Sequence, residues 1–337
     1  MKFVYLSLLF LYAAVVFAYD DADIRRILRE NETVTLLEEY KDDEEMIRLK
    51  CEHIDYINSF RTKYRVQPVK FDVLASRIAN MHAKRSVDND YYGHWDLDGN
   101  TPFLRYGLNG GKDHVSENVF TKFGGLTYTK GYPRNKIIQT IEAQYKGKIN
   151  AIMREGVDEF IAEGPGGGHH DTLVNEFHNY VGIGFAVATE YGETKSNYRI
   201  VYCEEYLDRY IDFNPFTQTV ARGESATISG KILPNDWGLY AIIIYYHPFP
   251  HAMTPDDIKS RHSYPDYTDE KYTTLWPWDI SFDKEQQTFS YDFVAKKKGY
   301  YYVQLFLKEG IDSIPYNGGS ASTQGLCSAS GIIITVK

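Results

Sequence analysis

The sequence has little of what marks a disulfide-rich scaffold or a nucleic-acid binder. Three cysteines in 337 residues, Cys51, Cys203 and Cys327, are too few for a fold held together by disulfides. A bridge between Cys51 and Cys203 that leaves Cys327 free is one arrangement, and the sequence does not decide it. The net charge of -9 leaves no basic excess for phosphate contacts, so we expect no nucleic-acid partner.

Familiar catalytic motifs are missing as well. The chain contains no His-Glu-x-x-His, no Gly-x-Ser-x-Gly, no Cys-x-x-Cys and no phosphate-binding glycine loop. This absence removes most enzyme classes that short motifs reveal. What remains is a dispersed set of polar residues, in which the glycine run of "EGPGGGHHDTL" leads directly into His169 and His170.

Long apolar runs are limited to the N-terminus. Lys2 precedes an apolar stretch over residues 3–17, which ends at Ala18 before an acidic start. The stretch is shorter than the ~20 residues that a spanning helix needs, and the pattern is typical of a secretory signal peptide over residues 1–18. We therefore expect a secreted, extracellular protein, or a periplasmic one in a bacterium, with no transmembrane segment in the mature chain.

The first part of the remaining chain has helical patterns followed by strand patterns. Residues 19–45 are acidic and weakly patterned, which predicts a solvated arm or short helices. Ile47, Cys51, Ile54 and Ile57 then form one helical stripe. A second helix follows Asp72, which is placed to cap it, and a third helical stretch is "NKIIQTIEAQYKGKINAIMRE". Two runs rich in β-branched and aromatic residues come next, so residues 46–212 predict an α+β domain.

The C-terminal part has a different sequence pattern. Short runs such as "TFSYDFV" and "YYYVQLFLK" alternate apolar and polar residues with period two. In the second run, Tyr301, Val303, Leu305 and Leu307 share one face. Turn signals separate these runs, and Pro215 marks the boundary with the first part. The pattern predicts an all-β sandwich of immunoglobulin type over residues 216–337.

Several motifs of residues 46–212 together resemble the CAP superfamily of cysteine-rich secretory, antigen-five and pathogenesis-related proteins. "YINSFRTKYRVQPVKFDVLASRIANMHA" is similar to its opening helices, and "YYGHWDLDGNTPFLRYG" to its bacterial, SCP-type form. "SENVF" stands at the Gly-Glu-Asn position of the family, and "GHHDTLVNEFHNYVGIGF" at the motif of its second histidine. The resemblance implies a three-layer α-β-α sandwich and leaves the C-terminal domain unexplained.

The same resemblance implies a cleft made by two histidines and two acids. His94 and His169 match the two histidines, because counting back from Val181 and Gly182 selects His169 over His170. Glu117 matches the first acid. Glu155 is the choice for the second acid, with Glu142 as the alternative.

The chemistry of these residue types indicates a metal site. Two neutral imidazoles can hold zinc or another divalent cation, with carboxylates or water completing the shell. His94 and His169 are the predicted ligands, and a carboxylate beside each histidine would fix its tautomer. A polar network that only stabilises the three layers is the structural alternative. His170 and His178 are expected to be surface or strand-edge histidines, and His82 a packed or solvated residue of its helix.

Three functions fit these observations. The first, which we favour, is a secreted binding module for a small apolar ligand, such as a lipid or sterol, or for a protein partner at a cell surface. The second is a metal-dependent extracellular hydrolase or peptidase in which Glu117 acts as the base. The third is a structural or signalling surface protein whose tyrosine-rich sandwich makes the contacts.

Overall fold

The computed structural model describes residues 19–261, 263–265 and 270–337. The predicted signal peptide, residues 1–18, lies outside these ranges. Among the described residues, no helix combines the length and the apolar character that crossing a membrane requires.

A four-stranded sheet forms the centre of the first domain. Its strands are β1 (Lys70–Phe71), β2 (His114–Thr127), β3 (Tyr180–Tyr191) and β4 (Lys195–Asp208). They lie in the order β1-β3-β4-β2, so that β2 is an edge strand. The β1–β3 pair is parallel, whereas β3–β4 and β2–β4 are antiparallel.

Helices cover both faces of this sheet. They are α1 (Asp21–Thr33), α2 (Glu44–Lys63), α3 (Val73–Asn89), α4 (Pro102–Leu108), α5 (Arg134–Tyr145), α6 (Ile149–Ala162) and α7 (Gly168–Leu173). Apolar residues of α1, α2, α5 and α6 share one core with one face of the sheet. Residues of α3 pack on the other face. These layers form the three-layer α-β-α sandwich, as predicted.

The sequence pattern explains the positions of α2 and α3. The stripe of Ile47, Cys51, Ile54 and Ile57 is almost completely buried. The Asp72 side chain accepts a hydrogen bond from the backbone N–H of Ala75 and caps α3. On β3, a Cβ atom at Gly184 would lie within 2.1 Å of the α3 backbone, so glycine allows this helix to approach the sheet closely.

One local prediction is wrong, and of a second only one of the two alternatives holds. The third helical stretch is two helices, α5 and α6, because the chain turns around Gly147, a poor helix former. For the acidic segment 19–45 the alternative of short helices is right and that of a solvated arm is wrong, since α1 places Ile24 and Ile27 in the first core. Asp21 and Glu32 of α1 are exposed, whereas Asp23 and Glu30 are half-buried beside the apolar stripe, so composition alone suggested a solvated segment.

The C-terminal domain is a sandwich of two sheets. An α+β domain followed by an all-β domain was predicted, and the structure confirms it. Its strands are β5 (Ile211–Phe213), β6 (Thr219–Val220), β7 (Ser225–Ile232), β8 (Trp237–His247), β9 (Glu270–Leu275), β10 (Phe282–Asp283), β11 (Thr288–Val294), β12 (Gly299–Glu309), β13 (Cys327–Ser328) and β14 (Ile332–Val336). One sheet has the order β10-β11-β7-β5, and the other β6-β14-β12-β8-β9 with β13 beside β12.

The alternating face of β12 confirms the predicted register. Tyr301, Val303, Leu305 and Leu307 are buried in the core between the two sheets. The sandwich begins before residue 216, because β5 pairs with β7 and starts inside the range expected for the first domain. A short helix, α8 (Pro255–Lys259), lies in the connection between β8 and β9.

The two domains share a buried apolar interface. One face of the β8–β12–β14 sheet packs against α3 and α4 of the first domain. Phe103 stacks on Tyr302 with a ring-centroid distance of 4.5 Å, and Ile243 and Ile333 belong to the same cluster. The sandwich is therefore fixed on the layer that carries α4, close to the predicted cleft.

All three cysteines are buried free thiols. Cys51 belongs to the core on the α2 side of the first sheet, and Cys203 to the core on the α3 side. The bridge that the sequence left open does not form, because the sheet separates the two sulfur atoms.

Candidate functional site

A cleft of about 580 Å³ lies at the β2 edge of the first sheet. Residues from three places form its walls: the β2 edge and the segment before α4, the α6–α7 region, and the sandwich domain. The lining residues are His94, Ser116, Glu117, Glu163, Gly168, His169, Asp171, Thr172, Asn175, Ser263 and Tyr264. Three of the four predicted residues, His94, Glu117 and His169, are therefore brought together.

One half of the cleft is a buried histidine–glutamate pair. Nδ1 of His94 lies 2.9 Å from Oε1 of Glu117, whose side chain is fully buried. Because a carboxylate accepts, this contact assigns the proton to Nδ1 and leaves Nε2 as the ring nitrogen available to a ligand. The backbone oxygen of His94 accepts a hydrogen bond from Nη1 of Arg105 at 2.5 Å.

Arg105 is the main charge partner of Glu117. Its Nη2 donates to Oε2 of Glu117 and lies 3.5 Å from Oε1 of Glu205. Burial alone raises the pKa of Glu117, but the Arg105 charge and the hydrogen bond from His94 hold it below its usual range. Burial and the neighbouring Glu117 charge raise the pKa of Glu205 well above its usual range. The two carboxyl groups therefore differ in protonation, with Glu117 the charged one.

A second group of potential metal ligands lies beneath this pair. Among the described residues, ligand atoms of His82, Glu117 and Cys203 come within 4.8 Å of one another, and all three side chains are buried. However, Nε2 of His82 donates to the backbone oxygen of Gly93 at 2.8 Å, and Arg105 already balances the Glu117 charge. Burial lowers the pKa of His82 to about 4. This group is a packed layer under the cleft, consistent with the structural role expected for His82.

The other half of the cleft is a more exposed pair. Nδ1 of His169 lies 2.5 Å from Oε1 of Glu163, and the His169 backbone N–H donates to Oε2 of the same carboxylate at 3.0 Å. Burial raises the pKa of Glu163, but the hydrogen bonds from His169 lower it below the usual value. Phe160 stacks on the His169 ring at 4.8 Å, and Asn118 donates to the His169 backbone oxygen at 3.1 Å.

The structure corrects the choice of the fourth residue. Glu155 forms an ion pair with Lys122 and is about 43% exposed, and Glu142 pairs with Lys146. Neither side chain lines the cleft. Glu163 takes this place because α6 continues to Ala162 and delivers the next residue to the cleft. Its sequence signal was its position directly before the glycine run that leads to His169.

The remaining histidines are deeper than expected. His170 and His178 are buried, at 2% and 0% exposure, and are not surface or strand-edge residues. Nδ1 of His170 contacts Asp171 at 2.9 Å, and Nδ1 of His178 contacts Asp208 at 2.5 Å. Each of these two histidines has a carboxylate as hydrogen-bond partner, which makes burial of its ring possible.

Arg61 fixes the segment that carries His169. Its guanidinium donates to the backbone oxygens of Leu173, Asn175 and His178 at 2.6, 3.0 and 2.8 Å. These contacts immobilise the end of α7 and the chain beyond it. Arg61 therefore has a structural role at the end of the segment that carries His169.

The two halves face each other across the cleft. The ring centroids of His94 and His169 are 6.1 Å apart. Each ring has its Nδ1 engaged by a carboxylate, so both present Nε2 as the remaining donor atom. The arrangement offers two nitrogen ligands with carboxylates behind them, a pattern found at protein metal sites.

The family comparison concerns the domain that carries this cleft. Residues 54–204 match the model of the family described as CAP: Cysteine-rich secretory protein family. This range contains the four cleft residues His94, Glu117, Glu163 and His169. Residues 54–204 therefore form a CAP-type domain, as their motifs indicated.

Solved structures provide weaker likenesses. An outer surface protein of Borrelia burgdorferi is 14% identical, with a TM-score of 0.27, 44% of this chain covered and 87% of that chain covered. An extracellular protein containing a SCP domain from Bacillus anthracis str. Ames is 16% identical, with a TM-score of 0.30, 50% of this chain covered and 51% of that chain covered. These values are too low for any property of those proteins to be carried over. A search of curated protein sequences gives no match.

Proposed function

We propose that this protein is secreted and acts as a binding module whose cleft holds a divalent cation, zinc in the first instance, between His94 and His169. One observation carries the proposal. The two imidazole rings face each other at 6.1 Å, and each is oriented by a glutamate through its Nδ1. Carboxylates that orient histidine ligands in this way raise their basicity and support metal binding.

The residues present fit the cation. Nε2 of His94 and Nε2 of His169 would be the protein ligands, and water or a ligand molecule would complete the shell. Glu117 and Glu163 supply negative charge behind the rings, which favours a cation in the cleft. When bound, the cation would attract an oxygen donor of the ligand as a Lewis acid.

The cleft lining indicates the class of ligand. The walls contain hydroxyl, amide and carboxyl groups from Ser116, Asp171, Thr172 and Asn175. A ligand that supplies oxygen atoms to the cation and hydrogen bonds to this rim fits better than an apolar one. The expectation of a lipid or sterol ligand draws no support from this cleft, and we propose a polar ligand or a polar group of a protein partner.

The hydrolase alternative meets a specific difficulty. Glu117 was the expected base, but both its oxygens are engaged, by His94 and Arg105, and its pKa is lowered. A carboxylate with a lowered pKa is a weak base at neutral pH. Glu163 is more exposed, but both its oxygens are engaged by His169 and its pKa is lowered as well, so neither glutamate of the cleft is a strong base.

Calorimetric titration of the purified protein with zinc and calcium tests the proposal. We expect one zinc ion per chain, with binding lost in His94→Ala and in His169→Ala. His251→Ala is the matched control, because this exposed histidine does not line the cleft. Absence of zinc binding in the wild type, or binding that survives both substitutions, would contradict the proposal and favour the structural or signalling alternative.

A further inference from the structure

The described residues of the connection between β8 and β9, 248–261 and 263–265, leave the sandwich and contact the first domain at the cleft. The backbone N–H of Met253 donates to the Leu97 oxygen at 2.8 Å, and Nε1 of Trp95 donates to the Ser263 oxygen at 3.3 Å. The Arg261 guanidinium lies 4.4 Å from the Trp95 ring centroid. The segment that contains His94 is therefore held from outside by the second domain.

The fit between these two segments is close. Gly99 adopts φ +78°, and a Cβ atom there would lie 2.3 Å from the backbone oxygen of His251. Only glycine combines this backbone conformation with so short an approach. The connection and the segment that contains His94 therefore pack closely in one specific arrangement.

Tyr264 carries this arrangement into the cleft. Its half-buried ring lies 4.8 Å from the His94 ring, centroid to centroid, at an interplanar angle of 57°. Its hydroxyl oxygen accepts a hydrogen bond from the backbone N–H of Glu117 at 2.9 Å. Glu117 is on an edge strand, whose outward N–H groups have no strand partner on that side. Tyr264 accepts from the N–H group of Glu117 and also packs against the His94 ring.

We propose that the cleft is a site of both domains and that Tyr264 is a positioning residue for His94 and Glu117. The sandwich then does more than present a surface, since it supplies one wall of the cleft and orients one of its two imidazoles. The inference rests on the proposed function where it concerns the cation, whereas the positioning of His94 can be measured without metal.

Zinc titration of three variants tests the first part. Tyr264→Ala removes both the ring and the hydroxyl, and we expect it to weaken zinc binding by about tenfold or more, as for other residues that orient metal ligands. Tyr264→Phe keeps the ring and should lose less. Tyr272→Phe is the matched control, because its hydroxyl donates to the Val294 backbone within the sandwich, and it should bind zinc as the wild type does.

Imidazole NMR spectra of the metal-free protein test the second part, with the His94 signals assigned from a His94→Ala sample. We expect these signals to shift in Tyr264→Ala, to stay closer to wild type in Tyr264→Phe, and to be unchanged in Tyr272→Phe. Unchanged His94 signals in Tyr264→Ala would overturn the inference, as would wild-type zinc affinity in that variant. If the wild type binds no zinc, the proposed function fails and the NMR comparison alone decides this inference.

Discussion

The two halves of the cleft have the same chemistry in different surroundings. In each, Nδ1 of a histidine contacts Oε1 of a glutamate, yet the His94 and Glu117 side chains are 12% and 0% exposed, whereas those of His169 and Glu163 are 32% and 36% exposed. The first pair is held by strand β2, Arg105 and Tyr264. The second is held at the start of the short helix α7. We infer that the His94–Glu117 pair has a fixed position and that a ligand reaches the cleft at the more exposed His169–Glu163 pair.

The largest effect is expected from removing the positive charge of Arg105, which lies beside the buried His94–Glu117 pair. Arg105→Met would leave the buried Glu117 carboxylate without its charge partner, a change that costs about 3–5 kcal/mol in comparable cases. Arg85→Met, at an exposed pair with Asp98, should cost less than about 1 kcal/mol. Urea unfolding measures both, and a similar small loss for the two variants would show that Arg105 does not stabilise the buried half.

The buried half should also govern the response to acid. Burial lowers the pKa of His82 to about 4 from an unfolded value of 6.5, so the unfolded chain binds the proton first. Stability from this residue is fully present above pH 6.5 and is lost as the pH falls towards 4. His82→Gln can keep the hydrogen bond to Gly93 but cannot titrate. Its free energy of unfolding should depend less on pH over this window, and an unchanged pH dependence would refute the assignment.

The exposed half should affect binding more than stability. Glu163→Gln removes the charge behind His169, and we expect zinc affinity to fall about tenfold with little change in melting temperature. Glu117→Gln should lower both, because the buried Arg105 loses its main partner. Calorimetry and thermal unfolding of the two variants separate these effects. Equal loss of stability in both would contradict the division into a fixed and an accessible half.

The smallest effect is expected at Glu155, the acid that the sequence analysis chose as the fourth residue of the cleft. Glu155 pairs with Lys122 at the surface, and such pairs contribute less than about 1 kcal/mol. Glu155→Gln should therefore leave zinc affinity unchanged and stability nearly so, in contrast to Glu163→Gln. A loss of zinc binding in Glu155→Gln would return Glu155 to the cleft and displace Glu163.

Some of this site follows from sequence patterns because its residues lie in recognisable motifs. His94, Glu117 and His169 each stand within a segment that resembles the family, and the structure brings them together. Glu163 was missed because its role depends on where α6 ends, and helix ends are the least certain part of a sequence prediction. The glycine run then turns the chain so that His169 contacts Glu163.

Long-range partners left no comparable signal. Tyr264 is 147 positions from Glu117 and belongs to the other domain, and period-two alternation reveals which residues face a core but not which loop reaches a neighbouring domain. The burial of α1 was hidden in the same way, since the many acids around Ile24 and Ile27 dominate the composition of that segment. Register within an element was predictable, whereas contacts between distant elements were not.

X-ray absorption at the zinc edge of the protein loaded with one zinc per chain tests the central claim most directly. We expect a shell of nitrogen and oxygen atoms at about 2.0–2.1 Å with two imidazole ligands and no sulfur, lost in His94→Ala and in His169→Ala. A sulfur atom at about 2.3 Å would place the metal at Cys203 and His82, beneath the cleft, and would contradict a site between the two facing histidines.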